Sequence, residues 1–429
     1  MTEVHRIVLT ELLERPGTTG EIAKICSLTD AEVLLQLRDL NERVKDLLRY
    51  KDDPITATTG GTWKADGVAG LLRLNSQVAL EVVPKFLDPR GPGWRRDFFL
   101  LAVLVRTGHL LQQDEIPAAE ADRGDLATLV AWSLLSMCEE NQRRPIRGYR
   151  RAHALDFSAD GDVEPVSIAL PDADGYALSR LELTNRNPYN ATIAAALQTL
   201  EREVSDVDTQ ARLQQLGRTL RPQGAPPHGH PPLPQRHHGW TGVYDLARLI
   251  VEGLGLDLQD GLFTGPGFIL STWQAWETLC EEIVRRALPD LHVVPQKPFT
   301  LGTRTDGNNV DVRPDISPLR DGSPVFLLDA KYRTRAGRRA SVASGDIYEA
   351  FAFLTASGAR HIDLLYPATH ALSELPLGAW HPFEELSLAG GVTVRAVAVQ
   401  VQGLAQRGGF DRLVLGARDA LSAASALTV

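Results

Sequence analysis

Val310-Asp-Val-Arg-Pro-Asp315-Ile316, followed after a turn by Val325-Phe-Leu-Leu-Asp329-Ala-Lys331-Tyr332, decides how this chain reads. Side chains alternate between the faces of an extended strand. Val325, Leu327, Asp329 and Lys331 therefore share one face, and Phe326, Leu328, Ala330 and Tyr332 share the other. Both faces start apolar, which predicts a central, buried strand whose polar groups emerge only at its end. Pro318 to Pro324, with Asp321-Gly322 inside, is the expected hairpin turn, and Asp315 is expected to end the neighbouring strand. Two carboxylates and an amine thus converge. The chain has 7 lysines among its 45 basic residues, and only Lys331 has an acid two positions before it. Where arginine is the default base, a lysine at a strand end points to a need for a compact charge.

Hard carboxylate oxygens suit Mg²⁺, with Mn²⁺ as the alternative, held by one or two carboxylates plus a phosphate. Such a cation polarises a scissile phosphate and activates a water. Asp315, Asp329 and Lys331 are the expected catalytic residues of a metal-dependent phosphodiesterase. Lys331 can orient or deprotonate the water or stabilise the transition state, and burial disfavours its charged form. Glu277 lies on a helix expected over 272–288, in the stripe Trp273, Glu277, Cys280, Val284, Leu288. It reads either as a third metal ligand beside Asp315 and Asp329 or as an acid at the stripe's edge. Asp311, on the face of Asp315, is expected to serve a neighbouring group rather than the same cation. Arg333, Arg335, Arg338 and Arg339 follow the motif and suit a clamp on the DNA backbone.

A length of 429 residues predicts more than one domain. A formal charge of −9 excludes a generally basic nucleic-acid coat, so DNA contact must be local. Three widely spaced cysteines, Cys26, Cys138 and Cys280, read as reduced thiols of a cytoplasmic protein. No signal peptide and no membrane span are expected.

Residues 3–50 read as three helices, Glu3 to Glu14, Thr18 to Cys26 and Ala31 to Leu48, in a winged-helix order. The third carries Glu32, Asp39, Glu42 and Asp46 against Arg38, Arg43 and Lys45, which favours a structural or protein-contact role over DNA reading. Short strands follow around Asn75-Ser76. Residues 97–220 are mainly helical, with a strand excursion from Ala154 to Leu183. Arg221 to His238, rich in Pro, Gly and His, reads as an unpacked linker whose histidines, His228, His230, His237 and His238, are solvated. The expected segments are a winged-helix-like and β domain over 1–95, a helical middle over 96–220, a linker over 221–241 and an α/β domain with a mixed sheet over 242–429.

At these residues the chain resembles the PD-(D/E)XK nuclease superfamily and, within it, the McrC family of McrBC-type modification-dependent restriction systems. The resemblance is carried by Arg313-Pro314-Asp315-Ile316, Leu327-Leu328-Asp329-Ala330-Lys331-Tyr332, Asp346-Ile347-Tyr348 and Leu364-Leu365-Tyr366-Pro367. Upstream it extends through Leu80-Glu-Val-Val-Pro84-Lys85, Arg147-Gly148-Tyr149 and Asn190 to Leu197. It implies a multidomain α/β chain ending in a restriction-endonuclease-like mixed sheet flanked by helices. It also implies metal ligands at Asp315 and Asp329, a catalytic Lys331 and an acid at Glu277. The implied partners are duplex DNA, modified or not, and a McrB-type AAA+ GTPase or ATPase, with a homodimer as one way to cut both strands. Many relatives have Gln where this chain has Glu349, which adds an acid near the metal. The alternatives are a self-contained nuclease targeted by its own N-terminal domain and a non-cleaving adaptor.

Overall fold

The computed structural model describes residues 5–87, 93–107, 126–158, 160–170, 172–204, 206–220, 231–251, 268–333, 341–368 and 375–426. The chain divides into two compact units, one of residues 1–129 with 255–429 and one of residues 130–254. The expected segments 1–95 and 242–429 are therefore not two bodies.

A shared sheet explains why. Strands His5–Thr10, Val78–Val83, Val68–Arg73 and Phe268–Ser271 form one four-stranded sheet in that order. Its last strand comes from the motif-bearing half of the chain and pairs antiparallel with Val68–Arg73, Val68 against Ser271. His5–Thr10, expected as a helix, is a strand parallel to Val78–Val83. Ile7 and Leu9 are buried while Val8 between them is exposed, so the period is two rather than 3.6. The β-branched content of Ile7, Val8 and Thr10 suits that pleat.

The winged-helix expectation thus loses its first helix. The other two stand, Thr18–Cys26 and Asp30–Leu48. The second opens on a capping box in which Thr29 and Glu32 satisfy each other's backbone N–H groups. Both helices pack Ile22, Val33, Leu37, Leu40 and Val44 against Ile7, Leu9, Leu72 and Leu80 of the sheet. The buried Asn41 amide stands in for a strand partner, donating to the Ile55 carbonyl at 2.7 Å and accepting from its N–H at 3.1 Å.

The second sheet has seven strands. Along its main path the order is His292–Pro295, Ile316–Arg320, Leu327–Ala330, His361–Pro367, Val392–Val399 and Trp380–Leu388, with Ser323–Pro324 hairpinned onto Ile316–Arg320. Leu327–Ala330, His361–Pro367 and Val392–Val399 run parallel. The sheet is therefore mixed, and the motif strand is central, as expected. In the Asp321-Gly322 turn both residues have positive φ, 52° and 82°, the geometry of a two-residue hairpin loop that glycine tolerates best. The expected 310–316 strand is split in two: Asn309–Val312 pairs with Phe299–Thr303 in a separate ribbon, and Ile316–Arg320 joins the main sheet. Leu327, Ile362, Leu364, Val394 and Ala396 pack under helix Ser344–Ser357 through Ala350, Phe353 and Leu354.

In the other unit, Gly148–Asp156 and Tyr176–Thr184 form a long antiparallel pair, and helices Pro188–Glu203, Val207–Leu220 and Thr241–Val251 follow. The expected linker is shorter than its composition suggests. Gln235–Trp240 is a 3₁₀ helix, and the buried Trp240 donates its indole N–H to the Arg144 carbonyl at 2.8 Å. His228 and His230 lie outside the described residues. Cys26, Cys138 and Cys280 are free thiols. No helix among the described residues is long and apolar enough to cross a membrane.

Candidate active site

The motif strand delivers its polar groups as its pattern predicts. Leu327 and Leu328 are fully buried, Asp329 is 3% exposed, and the Lys331 N–H continues the ladder by donating to the Leu365 carbonyl at 2.8 Å. Asp315 arrives differently from expectation. It lies in the break between Asn309–Val312 and Ile316–Arg320, where its Oδ2 accepts the Ala330 backbone N–H at 2.7 Å. That bond ties one acid to the strand that carries the other.

Glu277 projects from helix Thr272–Ala287, whose N-cap is Ser271. The buried face of that helix is Ala275, Trp276, Leu279, Cys280, Ile283, Val284 and Ala287. Trp273, placed by the sequence in the same stripe as Glu277, is 49% exposed, so Glu277 stands at the edge of the stripe, not within it. It still faces the site, through a residue that the sequence reading missed. Gln296 Nε2 donates to Glu277 Oε1 at 2.8 Å and to Asp315 Oδ1 at 2.6 Å. Gln296 has φ 48°, and its own N–H donates to the Asp315 carbonyl at 3.0 Å. The nearest signal in the sequence is its place between Pro295 and Pro298, which marks a turn without marking a role.

Electrostatics follow from crowding acids in a poorly solvated place. Burial, then repulsion from Asp315, pushes the Asp329 carboxyl up to about 7, against the pull of Lys331. Burial and Glu277 likewise raise Asp315, and burial raises Glu277. Asp329 Oδ2 is buried, and the Lys331 ammonium lies against it at 2.5 Å. Lys331 departs from expectation. Burial works against its charge, but Asp329 and Glu349, the latter at 2.7 Å, outweigh it and raise the amine above its ordinary value. Glu349, on helix Ser344–Ser357, thus acts first as a partner of the lysine.

The remaining expected residues are less involved. Asp311 accepts from Thr300 Oγ1 at 2.9 Å within the separate ribbon. Arg333, 58% exposed at its side chain, pairs with the buried Asp346 at 3.1 Å. Arg335, Arg338 and Arg339 lie outside the described residues. Among the described residues no three His, Cys, Asp or Glu side chains stand ready as a metal cage. Two carboxylates with raised proton affinity remain, one of them paired with Lys331, which is a donor set for a hard cation that retains its waters. The Gln296 amide lies between Glu277 and that pair.

The fold and site define the class: a mixed α/β chain with Asp329 and Lys331 at the end of a central strand and Asp315 tied to that strand. The chain belongs to the McrBC family: residues 63–367 match the model described as McrBC 5-methylcytosine restriction system component. It is accordingly a component of an McrBC-type restriction system. Its fold is similar to a chain of the Thermococcus gammatolerans half-complex of McrB AAA+ hexamers with bound McrC. The TM-score there is 0.70 at 17% identity, over 98% of this chain and 100% of that one. A chain of the T. gammatolerans McrBC complex matches with a TM-score of 0.51 at 16% identity, over 66% of this chain and 88% of that one. No curated protein matches.

Proposed function

We propose that this chain is the Mg²⁺-dependent endodeoxyribonuclease subunit of its restriction system and hydrolyses DNA phosphodiester bonds. The observation that carries the reading is the clustering of Asp315 and Asp329, both with raised proton affinity, Asp315 bonded to the Ala330 N–H and Asp329 paired with the Lys331 ammonium. Asp315 and Asp329 would hold the cation, with Mn²⁺ as a substitute. Mg²⁺ supplies Lewis-acid polarisation of the phosphate and a bound water of lowered pKa. Lys331, kept charged by Asp329 and Glu349, offers its ammonium to the charge that develops on the phosphoryl oxygens and orients the water. Glu277 acts through Gln296, which fixes the free side of Asp315. Arg333 and the three arginines beyond it suit the DNA backbone.

A McrB-type AAA+ NTPase is the proposed partner, since the similar T. gammatolerans chain belongs to an assembly of McrB AAA+ hexamers with bound McrC. A winged-helix DNA reader is not carried forward, because its leading helix is the strand His5–Thr10.

The test is a cleavage assay on methylated and unmethylated duplex DNA, with and without the cognate NTPase, in Mg²⁺, Mn²⁺ or chelator. Asp329→Ala and Lys331→Ala are expected to cost at least about 10³-fold in rate, the scale of a lost transition-state contact or more, with melting temperature close to wild type. Full activity in either variant removes the site assignment.

A further inference from the structure

Glu11 is a buried carboxylate far in sequence from the site, and it uses both of its oxygens. Oε1 accepts from the Gly67 N–H at 3.1 Å and from Thr272 Oγ1 at 2.7 Å. Oε2 accepts from the Lys85 N–H at 3.2 Å and from the Tyr332 hydroxyl in a short contact. Two of the four donors belong to the N-terminal sheet region. The other two belong to the elements that carry the site. Thr272 opens the helix of Glu277, and Tyr332 directly follows Lys331.

Tyr332 is held at three further points. Lys85 Nζ donates to its carbonyl at 3.1 Å and lies 3.6 Å from its ring centroid. Phe86 meets the ring edge-on, with centroids 5.8 Å apart, and itself packs on Trp276 at 5.9 Å. The Lys331 peptide is thus fixed on both sides, by the Leu365 carbonyl before it and by the gripped Tyr332 after it. A carboxylate placed this deep is costly unless every lone pair is used. Here all are used, and half the donors come from the catalytic elements.

We infer that Glu11 is a positioning residue for the proposed cleavage: it sets the Lys331-Tyr332 peptide and the start of the Glu277 helix against each other. The N-terminal segment is thereby part of the active centre and not only a contact surface for partners. The inference rests on the nuclease reading for its catalytic meaning, but its structural content does not.

Glutamine at position 11 has one acceptor end and one donor end. It must turn an N–H₂ group toward either the Gly67 or the Lys85 N–H, so one grip opens. Tyr332→Phe removes one hydroxyl and keeps the ring. Both variants, in the full chain with the cognate NTPase, are measured for kcat and KM on DNA, for melting temperature, and for amide hydrogen exchange over 327–333 and 272–277. The expected result is a kcat lower by about 10- to 100-fold, the scale of a slightly misplaced group, with KM within about twofold. Exchange is expected to rise at Lys331 and Tyr332 while the His361–Pro367 and Val392–Val399 strands stay protected. Glu11→Asp in the same assay is expected to restore part of the kcat, because the charge returns at shorter reach.

Wild-type kcat and wild-type exchange in both Glu11→Gln and Tyr332→Phe overturn the inference. A fall in kcat matched by uniform loss of protection across the sheet also overturns it, since Glu11 then only holds the fold. If Glu11→Gln does not fold, Tyr332→Phe decides alone by the same criteria. A wild-type chain that cuts no DNA overturns the nuclease reading instead, and the exchange measurements still decide whether Glu11 positions the peptide.

Discussion

Buried charge in this chain is paired differently on the neighbouring strands His361–Pro367 and Leu327–Ala330. On the first, Asp363, fully buried, receives a two-pronged contact from Arg395 at 2.8 and 2.7 Å and lies 2.8 Å from His361 Nε2. Burial opposes its charge, but His361 and Arg395 outweigh it and hold the carboxyl below its ordinary range. A carboxyl depressed in the folded state stabilises above its ordinary pKa of about 3.9. That stability is lost as pH falls through the folded value. Arg395→Ala is expected to cost about 3–5 kcal/mol in denaturant melts at pH 7, because it strands a buried anion. The gap from wild type should close below about pH 4, and a constant gap down to pH 3 would show that the pair is not the cause. On the neighbouring strand, where Asp329 lies opposite Leu364, the bias is reversed: burial and Asp315 raise Asp329, and burial and Glu277 raise Asp315. Asp329 and Lys331 were legible because a run of apolar residues ending in two polar ones can only be a buried strand emerging. Gln296 and Glu11 were not, because their roles depend on which distant chain segment lies opposite.

At the scale of elements, the lesson of residues 5–14 is that two periods can fit one short stretch. Ile7, Leu9 and Leu12 admit either reading, and pairing with Val78–Val83 settled it for the strand. Helix Thr272–Ala287 was legible from its cap and its apolar stripe, though Trp273 proved exposed. Helix Trp94–Thr107 offers a test. Its buried Asp97 accepts the Gly403 and Ala405 N–H groups at 2.6 and 2.9 Å, pinning the segment that precedes helix Gly409–Ala426. Burial pushes Asp97 up to about 7 despite those donors. A raised folded pKa gives stability that is full below the ordinary value and lost as pH rises through about 7. Wild type should therefore lose unfolding free energy between about pH 4 and pH 7, and Asp97→Asn should flatten that slope. The variant should also cost about 1–3 kcal/mol, since its amide turns a donor toward one of those N–H groups. Identical slopes in denaturant melts at pH 4.5 and 8 would refute the assignment.

For the whole molecule, composition did not place the borders between the compact units. The proline-rich stretch looked like a boundary between domains. Instead the break lies elsewhere, because Phe268–Ser271 crosses into the N-terminal sheet before the chain enters the Glu277 helix. No local pattern signals that a four-residue strand will pair with one near residue 70. A fragment of residues 242–429 lacks three of the four strands in that sheet, and Thr272 in it loses Glu11. It is expected to give a broad, weakly cooperative melt by circular dichroism, and the full chain a sharp one in this region. A sharp transition in the fragment would mean that the motif-bearing half folds by itself.

The same crossing strand has a bearing on birth as well as stability. The edge offered by Val68–Arg73 leaves the ribosome long before Phe268–Ser271 exists to cover it. At ~5–20 residues per second that interval is on the order of ten to forty seconds. Through it the nascent chain carries an open sheet edge, which invites chaperone capture or self-association.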